Sequence, residues 1–487
     1  MSQSKSLSYF LLLVVAVVFV SAFSVSTSFL YPYPDTLDSH VFQIIGKYWA
    51  RGSIPYVDLW DQKGPIIYFI NAVGYWMTDS KTGVFLLQIL FLFADLCILY
   101  HIFRSRLSVR NSFIVIVLFL FSLAQLYGAG NGVEEYILPF LLIGFYLQYK
   151  WIISFVYDDE NQHNPRWAIL YGFILAFSLL TRLTNALGIC LGVAFIGIML
   201  ALNRKWKNLF YNIAAFIVGF AILFIPFASY FYVHNAFDEM WYAMITFNME
   251  YASNASNIVT IKSFLLNLLS PICAYMCLVV GFLLLLRKHY IIGYWIIAIV
   301  LFPLIWIITS NGYAHYSMLC LPYLMISFLL LNDYDLMRVL STKTINSLRL
   351  SFSLVIIVSC IFVNLRSLTN GYFYRSSKEK RLFFKSMLSH IQNQEQDSFI
   401  AYNIKPSIYL YSGIKPAFRF FTNQYFYCLN SKSMSKLMYG ENRKHNVKWL
   451  LIKQEDQTMN IIVKNEYTES IRSSFEGKEY VLYKRNK

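Results

Sequence analysis

The sequence predicts a polytopic α-helical membrane protein with about eleven transmembrane helices. Interfacial helices are expected in its first outer loop, and a small extracytoplasmic α/β domain at its C-terminal end. Three observations predict this class. Hydrophobic residues make up 57% of the 487 and charged residues only 14%, with a mean hydropathy of +0.49, the balance of a membrane protein rather than a soluble domain. Apolar runs of near-span length recur up to Val363. Beyond Arg366 these runs shorten and Lys and Arg become frequent. A boundary therefore falls between a membrane domain, residues 1–366, and a tail, residues 367–487.

The net charge of +15 invites a nucleic-acid reading. The basic residues cluster between apolar runs, however, which is the positive-inside pattern with some attraction to anionic lipid, and nucleic acid is excluded as a partner. Cys97, Cys190, Cys273, Cys277, Cys320 and Cys360 fall inside apolar runs, and Cys428 lies in the tail. No CxxC pair or disulfide framework is present, so neither a metal nor a disulfide constrains the fold.

The runs are Tyr9–Leu30, Val84–Phe103, Phe113–Leu126, Tyr136–Val156, Trp167–Leu180, Thr184–Leu202, Leu209–Tyr232, Phe264–Leu286, Ile291–Ile308, Met318–Leu331 and Leu350–Val363. The first is too long for a signal-peptide core and ends in Tyr31-Pro32-Tyr33, so it reads as a retained helix. With the N-terminus in the cytoplasm, the cytoplasmic loops carry Arg104/Arg106/Arg110, Lys150 with Arg166, Arg204/Lys205/Lys207, Arg287/Lys288 and Arg338/Lys343/Arg349. The short outer connections near Gly130, Thr181 and Gly312 hold only Arg182. That alternation sets a multi-pass topology in the cytoplasmic (inner) membrane with the tail outside. The first outer loop (31–78), Glu134/Glu135, Arg182, the Asp238–Lys262 loop and His315 then share the outer face.

In the first outer loop, Val41, Ile44/Ile45 and Tyr48/Trp49 recur at helical spacing until Gly52 and Pro55. This run is too short to span, so it is expected to lie in the interface as an amphipathic helix, with Ile66 to Trp76 a second of the same kind. In the tail, Phe399–Tyr402, Lys448–Lys453 and Tyr480–Tyr483 read as strands, and Ser377–Gln392 has helical spacing.

Each chemical candidate has a bland counterpart. Asp38 precedes the first loop helix, and is either its N-cap or a general base taking a proton from an acceptor hydroxyl. Asp35 reads as a turn residue beside Pro34. Asp58, Asp61 and Lys63 are spaced for a loop. They either pair locally as a solvated turn or orient a sugar and a phosphate. Paired carboxylates can also hold a divalent cation, but no neighbouring His or third carboxylate supports one. No cofactor is assigned, and a divalent cation is left open. Glu134 and Glu135 are either a solvated helix start or a second acidic element of the same pocket, the reading favoured here. Arg182 either snorkels to lipid or binds one phosphate. His315 with Tyr316 marks the outer start of a span, where a lone His is more often structural. Asn248, Glu250 and Tyr251 are candidates to line an acceptor path. No Walker A, GxSxG or HExxH motif is present, and no ionisable group is read near the midplane, which argues against a transporter.

The run from Asp38 (DSHVFQ…GKYWARG…PYVDLWDQKGP) resembles the first outer loop of the GT-C glycosyltransferases, in particular the protein O-mannosyltransferase and aminoarabinose-transferase superfamily. NGVEEYILPF, LLTRLTNA and GYAHY are similar to segments of its bacterial envelope members. The resemblance implies transfer of a sugar from a polyprenyl-phosphate carrier to an acceptor on the outer face, with inversion. It places Asp38 on the family's catalytic aspartate and Glu134/Glu135 near its second acidic element. The family's Asp-Glu pair is Asp38-Ser39 here, and its acid-Lys-Pro-Pro run is Asp61-Gln62-Lys63-Gly64-Pro65.

The expected function is that of a membrane glycosyltransferase. Asp38 is its base, Asp58, Asp61, Glu134 and Glu135 form an acidic pocket, and Lys63, Arg182, His315 and Tyr316 face the donor phosphate. The expected partners are the polyprenyl-phosphate-linked sugar, membrane lipid, and an acceptor that is a glycan, a lipid or a protein. The alternatives are a lipid-linked glycan flippase and a non-catalytic scaffold for envelope assembly.

Overall fold

A computed structural model describes residues 2–254, 264, 267–310, 313–333, 341–369, 372–444, 447–453 and 466–486. Lys262, Gly312, Arg338 and part of the run Phe264–Leu286 lie outside the described residues. The helices up to the tail are α1 (Ser2–Phe23), α2 (Asp38–Trp49), α3 (Pro65–Thr78), α4 (Lys81–Arg104), α5 (Val109–Leu126), α6 (Val133–Tyr157), α7 (Pro165–Leu179), α8 (Leu187–Leu202), α9 (Trp206–Val233), α10 (Phe237–Trp241), α11 (Phe247–Asn254), α12 (Ile272–Leu286), α13 (Tyr290–Thr309), α14 (Leu321–Leu331) and α15 (Thr342–Thr369).

Among the described residues, nine helices are long and apolar enough to cross a membrane, which makes the chain a polytopic membrane protein. Two further apolar helices, α7 and α12, have only 15 residues each. Proline sets the start of both: α7 opens on Pro165 after its N-cap Asn164, and α12 follows Pro271. The first helix is also shorter than the run that predicts it. It stops at Phe23 rather than Leu30, and Ser24, Ser26, Thr27 and Ser28 follow as buried residues. Closely spaced hydroxyls offer the backbone alternatives to helical bonds. Lys81 Nζ then donates to the Ser28 and Tyr31 carbonyls at 3.0 and 2.8 Å.

The chain forms two compact units. The membrane unit comprises Met1–Ser24, Leu87–Phe227 and Asn257–Asn370. The loop-and-tail unit comprises Val25–Leu86, Ala228–Ser256 and Gly371–Lys487, three stretches far apart in sequence.

In the loop-and-tail unit, α2 and α3 pack side by side at Gly46, where a Cβ would lie 2.5 Å from Asn71 Cβ and 2.7 Å from the Ala72 nitrogen. Only glycine permits that approach. Nine of the 12 residues of α2 are buried, Ser39, His40 and Gln43 among them. The expected interfacial helix is therefore a protein-packed one, because α3 and the tail cover it. The apolar stripe of α3 differs: Phe69, Trp76 and Met77 are exposed, at the i, i+7 and i+8 positions of one face.

The tail adds α16 (Tyr372–Leu388), α17 (Ser407–Ser412), α18 (Gln424–Asn430) and α19 (Lys432–Lys444) to a four-stranded sheet. Its strands are β1 (Phe399–Tyr402), β2 (Trp449–Lys453), β3 (Tyr467–Phe475) and β4 (Lys478–Arg485), in the order β1-β2-β4-β3. β1 and β2 run parallel and the other pairs antiparallel, with Leu451 opposite Ala401 and Leu482. β3 was not among the expected strands. It is a largely exposed edge strand, interrupted by an irregularity between Glu469 and Ile471, so it lacks the apolar alternation that marks a half-buried strand. Phe383 and Phe384 of α16 pack on Phe475 and Tyr480.

Candidate functional site

The first loop and the residue after it carry five acids, from Asp35 to Asp79, and the structure gives each a different state. Asp35 accepts from Lys380 Nζ at 2.8 Å, Lys405 Nζ at 3.2 Å and Ser407 Oγ at 2.7 Å. Burial alone would raise this carboxyl, but the Lys380 charge and hydrogen bond, with Lys405 and Ser407, outweigh it and hold Asp35 below its ordinary value. The turn residue of the sequence reading is thus the anchor of the loop on the tail. Beside it, the Tyr411 hydroxyl donates to the Pro34 carbonyl and Arg381 lies over the Tyr33 ring at 4.6 Å.

Asp58 is exposed, and its Oδ2 accepts the Ile54 N–H at 2.7 Å, four residues back. That is the local-turn reading. Asp79 pairs with Arg51 at 2.7 Å on the surface. Asp61 is buried and accepts from two phenols, Tyr68 at 2.7 Å and Tyr427 of the tail at 3.0 Å. Burial raises its carboxyl above the ordinary value. The Lys63 charge and both hydrogen bonds oppose that rise, and the Asp38 charge adds to it. Burial and the Asp61 charge push both phenols well above their usual range, so they stay donors.

Asp38 is the remaining acid. It is the first residue of α2, and the N-cap is Leu37, with no side-chain capping bond. The N-cap reading of Asp38 therefore does not hold. Its carboxylate is exposed and has neither a hydrogen bond nor an ion pair among the described residues, while its charge is felt by Asp61 and Tyr427.

The backbone around Asp61 is fixed from several sides. Tyr56 is fully buried at φ +72°, a left-handed conformation that costs energy in a bulky residue. Its hydroxyl donates to the Lys63 carbonyl at 2.8 Å. Trp60 is fully buried among Phe247, Phe420 and Tyr427, with ring centroids 5.3, 5.5 and 4.8 Å away. Its backbone N–H donates to the Arg419 carbonyl at 2.9 Å. The Lys63 backbone is used in these contacts, and its ammonium makes no hydrogen bond or ion pair among the described residues.

The residues expected to line an acceptor path are engaged in holding α11. Asn248 Nδ2 donates to the Gln62, Ala243 and Met244 carbonyls at 2.9–3.0 Å. Glu250 accepts from Ser433 at 2.7 Å and from Ser431, both in the tail. The Tyr251 ring packs on Phe426 at 5.2 Å.

In the membrane unit, Glu134 is buried and pairs with Arg182 Nη1 at 2.9 Å. The Arg182 guanidinium lies 3.4 Å from the Tyr316 ring centroid and 5.1 Å from that of Trp306. His315 packs its ring edge-on against Tyr316 at 4.7 Å. One carboxylate and two aromatic faces therefore hold the guanidinium of a side chain that is still 15% exposed and that donates through Nη1 to Glu134, an arrangement suited to binding an anion. Glu135 does not join it. Its carboxylate reaches back to the Gly132 N–H at 2.7 Å, half of a capping box, and accepts from Gln88 Nε2 at 2.8 Å.

Sequence reasoning missed one group here. Asp95 lies in the middle of α4, buried, with its Oδ1 unpartnered among the described residues. The statement that no ionisable group falls near the midplane is corrected by this residue. Its signal was visible as a single acid inside the run Val84–Phe103. Among the described residues, no group of three or more His, Cys, Asp or Glu is placed to hold a metal ion.

The site residues lie on the loops and helix starts of a polytopic membrane protein. Residues 1–365 match the family described as "Putative competence-induced protein Ccs4 N-terminal domain". The chain belongs to that family, and the match takes in every candidate residue named above while stopping short of the tail. No curated protein matches the chain. Among solved structures, the oligosaccharyltransferase of Archaeoglobus fulgidus, crystallised with Zn and sulfate, is similar at 13% identity over 96% of this chain and 72% of that one, with a TM-score of 0.44. That likeness is too distant to carry fold or chemistry across.

Proposed function

We propose that this chain is an integral-membrane glycosyltransferase that moves a sugar from a polyprenyl-phosphate carrier to an acceptor hydroxyl on the outer face of the cytoplasmic membrane, with inversion. The supporting observation is the division of labour among the first-loop acids. Asp35, Asp58, Asp61 and Asp79 are each committed to partners, and among the described residues Asp38 alone of these acids presents an exposed, unengaged carboxylate, at the start of a rigidly packed helix. A general base has to be accessible and correctly held.

In this reading Asp38 takes the acceptor proton as the acceptor oxygen bonds to the anomeric carbon. The bond from that carbon to the phosphate oxygen breaks, and its electron pair leaves with the phosphate. Lys63 is the group assigned to that developing charge. In the membrane unit, Tyr316 and Glu134 hold Arg182 to bind a phosphate, so Glu134 acts through Arg182 and not on the sugar. The donor's lipid tail enters sideways from the bilayer.

One observation favours the flippase reading: the buried Asp95 in mid-span is the kind of charge a transport path uses. Mass analysis of envelope glycans from a deletion strain tests both. Loss of one sugar from a finished glycan supports the transferase, and accumulation of the intact precursor on the inner leaflet supports the flippase.

A further inference from the structure

Residues 371–487 contain 20 Lys and Arg against 10 Asp and Glu, and part of that excess is gathered along one face of α2. His40, Ile44 and Tyr48 lie four residues apart on this helix, one above the other over about 12 Å. The tail covers both ends of the row. The Tyr411 ring packs edge-on against His40 at 6.5 Å, and Lys415 Nζ lies 5.5 Å from the Tyr48 ring.

Cations follow this row. Lys380 and Lys405 stand at Asp35, and Arg381 lies over Tyr33 at 4.6 Å and Tyr411 at 5.9 Å. Lys415 and Lys47 flank Tyr48, the latter at 5.6 Å. Of the acids at this helix, Asp35 is paired with two lysines and Asp79 with Arg51, while Asp38, exposed at the start of α2, offsets one of the remaining cations. His40 adds no charge near neutral pH, because burial holds it at about 3. The face therefore keeps a net positive charge, with Lys405 side-chain exposure at 47% and Lys415 exposed.

We propose that this basic, tyrosine-lined track binds a polyanionic glycan, a sugar chain bearing carboxylate or phosphodiester groups. Charges arranged in a row match a chain with regularly spaced anions better than a single headgroup. Tyr48 and the rest of the α2 row are buried beneath these cations, and the half-buried Tyr33 and Tyr411 rings are the ones that offer edges to sugar rings. The apolar side chains that a bilayer would take up lie on α3, at Phe69, Trp76 and Met77. That such a chain is the acceptor rests on the glycosyltransferase reading, whereas its binding does not.

The test is fluorescence anisotropy with labelled polygalacturonate and the full chain in neutral-lipid nanodiscs. Neutral dextran of matched length is the control polymer. Binding is expected to weaken with added salt and to fall about tenfold in Lys415→Glu and in Arg381→Gln, but not in Lys478→Glu, a charge-matched change at the start of β4. Lys415→Glu alters an exposed side chain, and an unchanged melting temperature separates lost binding from lost folding. Equal binding of neutral dextran, or unchanged binding in both track variants, overturns the proposal. So does tighter, track-dependent binding to phosphatidylglycerol vesicles, which would make the face a membrane contact. Because binding is read without turnover, Asp38→Asn is expected to bind polygalacturonate normally even if it transfers nothing.

Discussion

Tyr427 of the tail donates a hydrogen bond to the buried Asp61 carboxylate of the first loop at 3.0 Å, opposite the one from Tyr68 at 2.7 Å. The tail thus supplies part of the setting of the acid nearest in charge to Asp38 and Lys63. A buried carboxylate with one phenol removed keeps its desolvation cost and loses part of its compensation.

Tyr427→Phe is therefore expected to lower stability by about 1–3 kcal/mol. Asp61→Asn is expected to cost less, since it removes the charge as well. Thermal unfolding of the purified variants measures both. A raised carboxyl binds its proton more tightly folded than unfolded, so Asp61 makes stability fall as pH rises from its ordinary value of 3.8 toward the folded one. In Asp61→Asn that fall is absent.

His40 works in the opposite sense. Its folded value of about 3 lies below the ordinary 6.5, because burial disfavours the imidazolium. Between those values the unfolded chain takes up a proton that the folded chain does not, so stability is lost as pH falls from about 6.5 toward 3. Unfolding midpoints of His40→Phe, which keeps a ring against Tyr411, are expected to be flatter over that window.

Glu134 and Arg182 form a buried pair whose members depend on each other. Arg182→Ala strands the Glu134 carboxylate and is expected to cost about 3–5 kcal/mol. Adding Glu134→Gln to it should recover much of that loss, as a double-mutant cycle on the melting temperature will report. Arg182→Lys keeps the charge but loses the planar guanidinium stacked on Tyr316, so it is expected to lower transfer more than stability.

Gly46→Ala tests how α2 is seated. Its Cβ would fall 2.5 Å from Asn71 Cβ, and the forced separation of α2 and α3 is expected to cost about 1–3 kcal/mol. Limited proteolysis between residues 50 and 64 should then speed up, because that segment depends on the same helix pair.

Most of the fold was legible in the sequence because apolar runs and turn residues carry it. The helix of Asp38, the tail strands β1, β2 and β4 and the membrane helices all come from local pattern. What stayed hidden depends on long-range contacts. No local signal says that Asp35 meets Lys380, that Tyr427 reaches Asp61, or that Glu250 bonds Ser431 and Ser433. The burial of α2 was missed for the same reason: an amphipathic pattern does not reveal whether protein or lipid covers its apolar side. Asp95 is different, since its position in an apolar run was plain and its weight was not recognised. Among the acids, composition treats Asp35, Asp38, Asp58 and Asp61 alike, and only their partners separate them.

The account turns on Asp38 acting as a base, and the most direct test is Asp38→Asn in proteoliposomes supplied with a radiolabelled polyprenyl-phosphate sugar and an envelope-glycan acceptor. Binding of the donor and formation of the glycosidic bond are measured separately. The account predicts donor binding close to wild type and transfer lowered by about 10²–10⁴-fold. Transfer at near wild-type rate in the variant would contradict it.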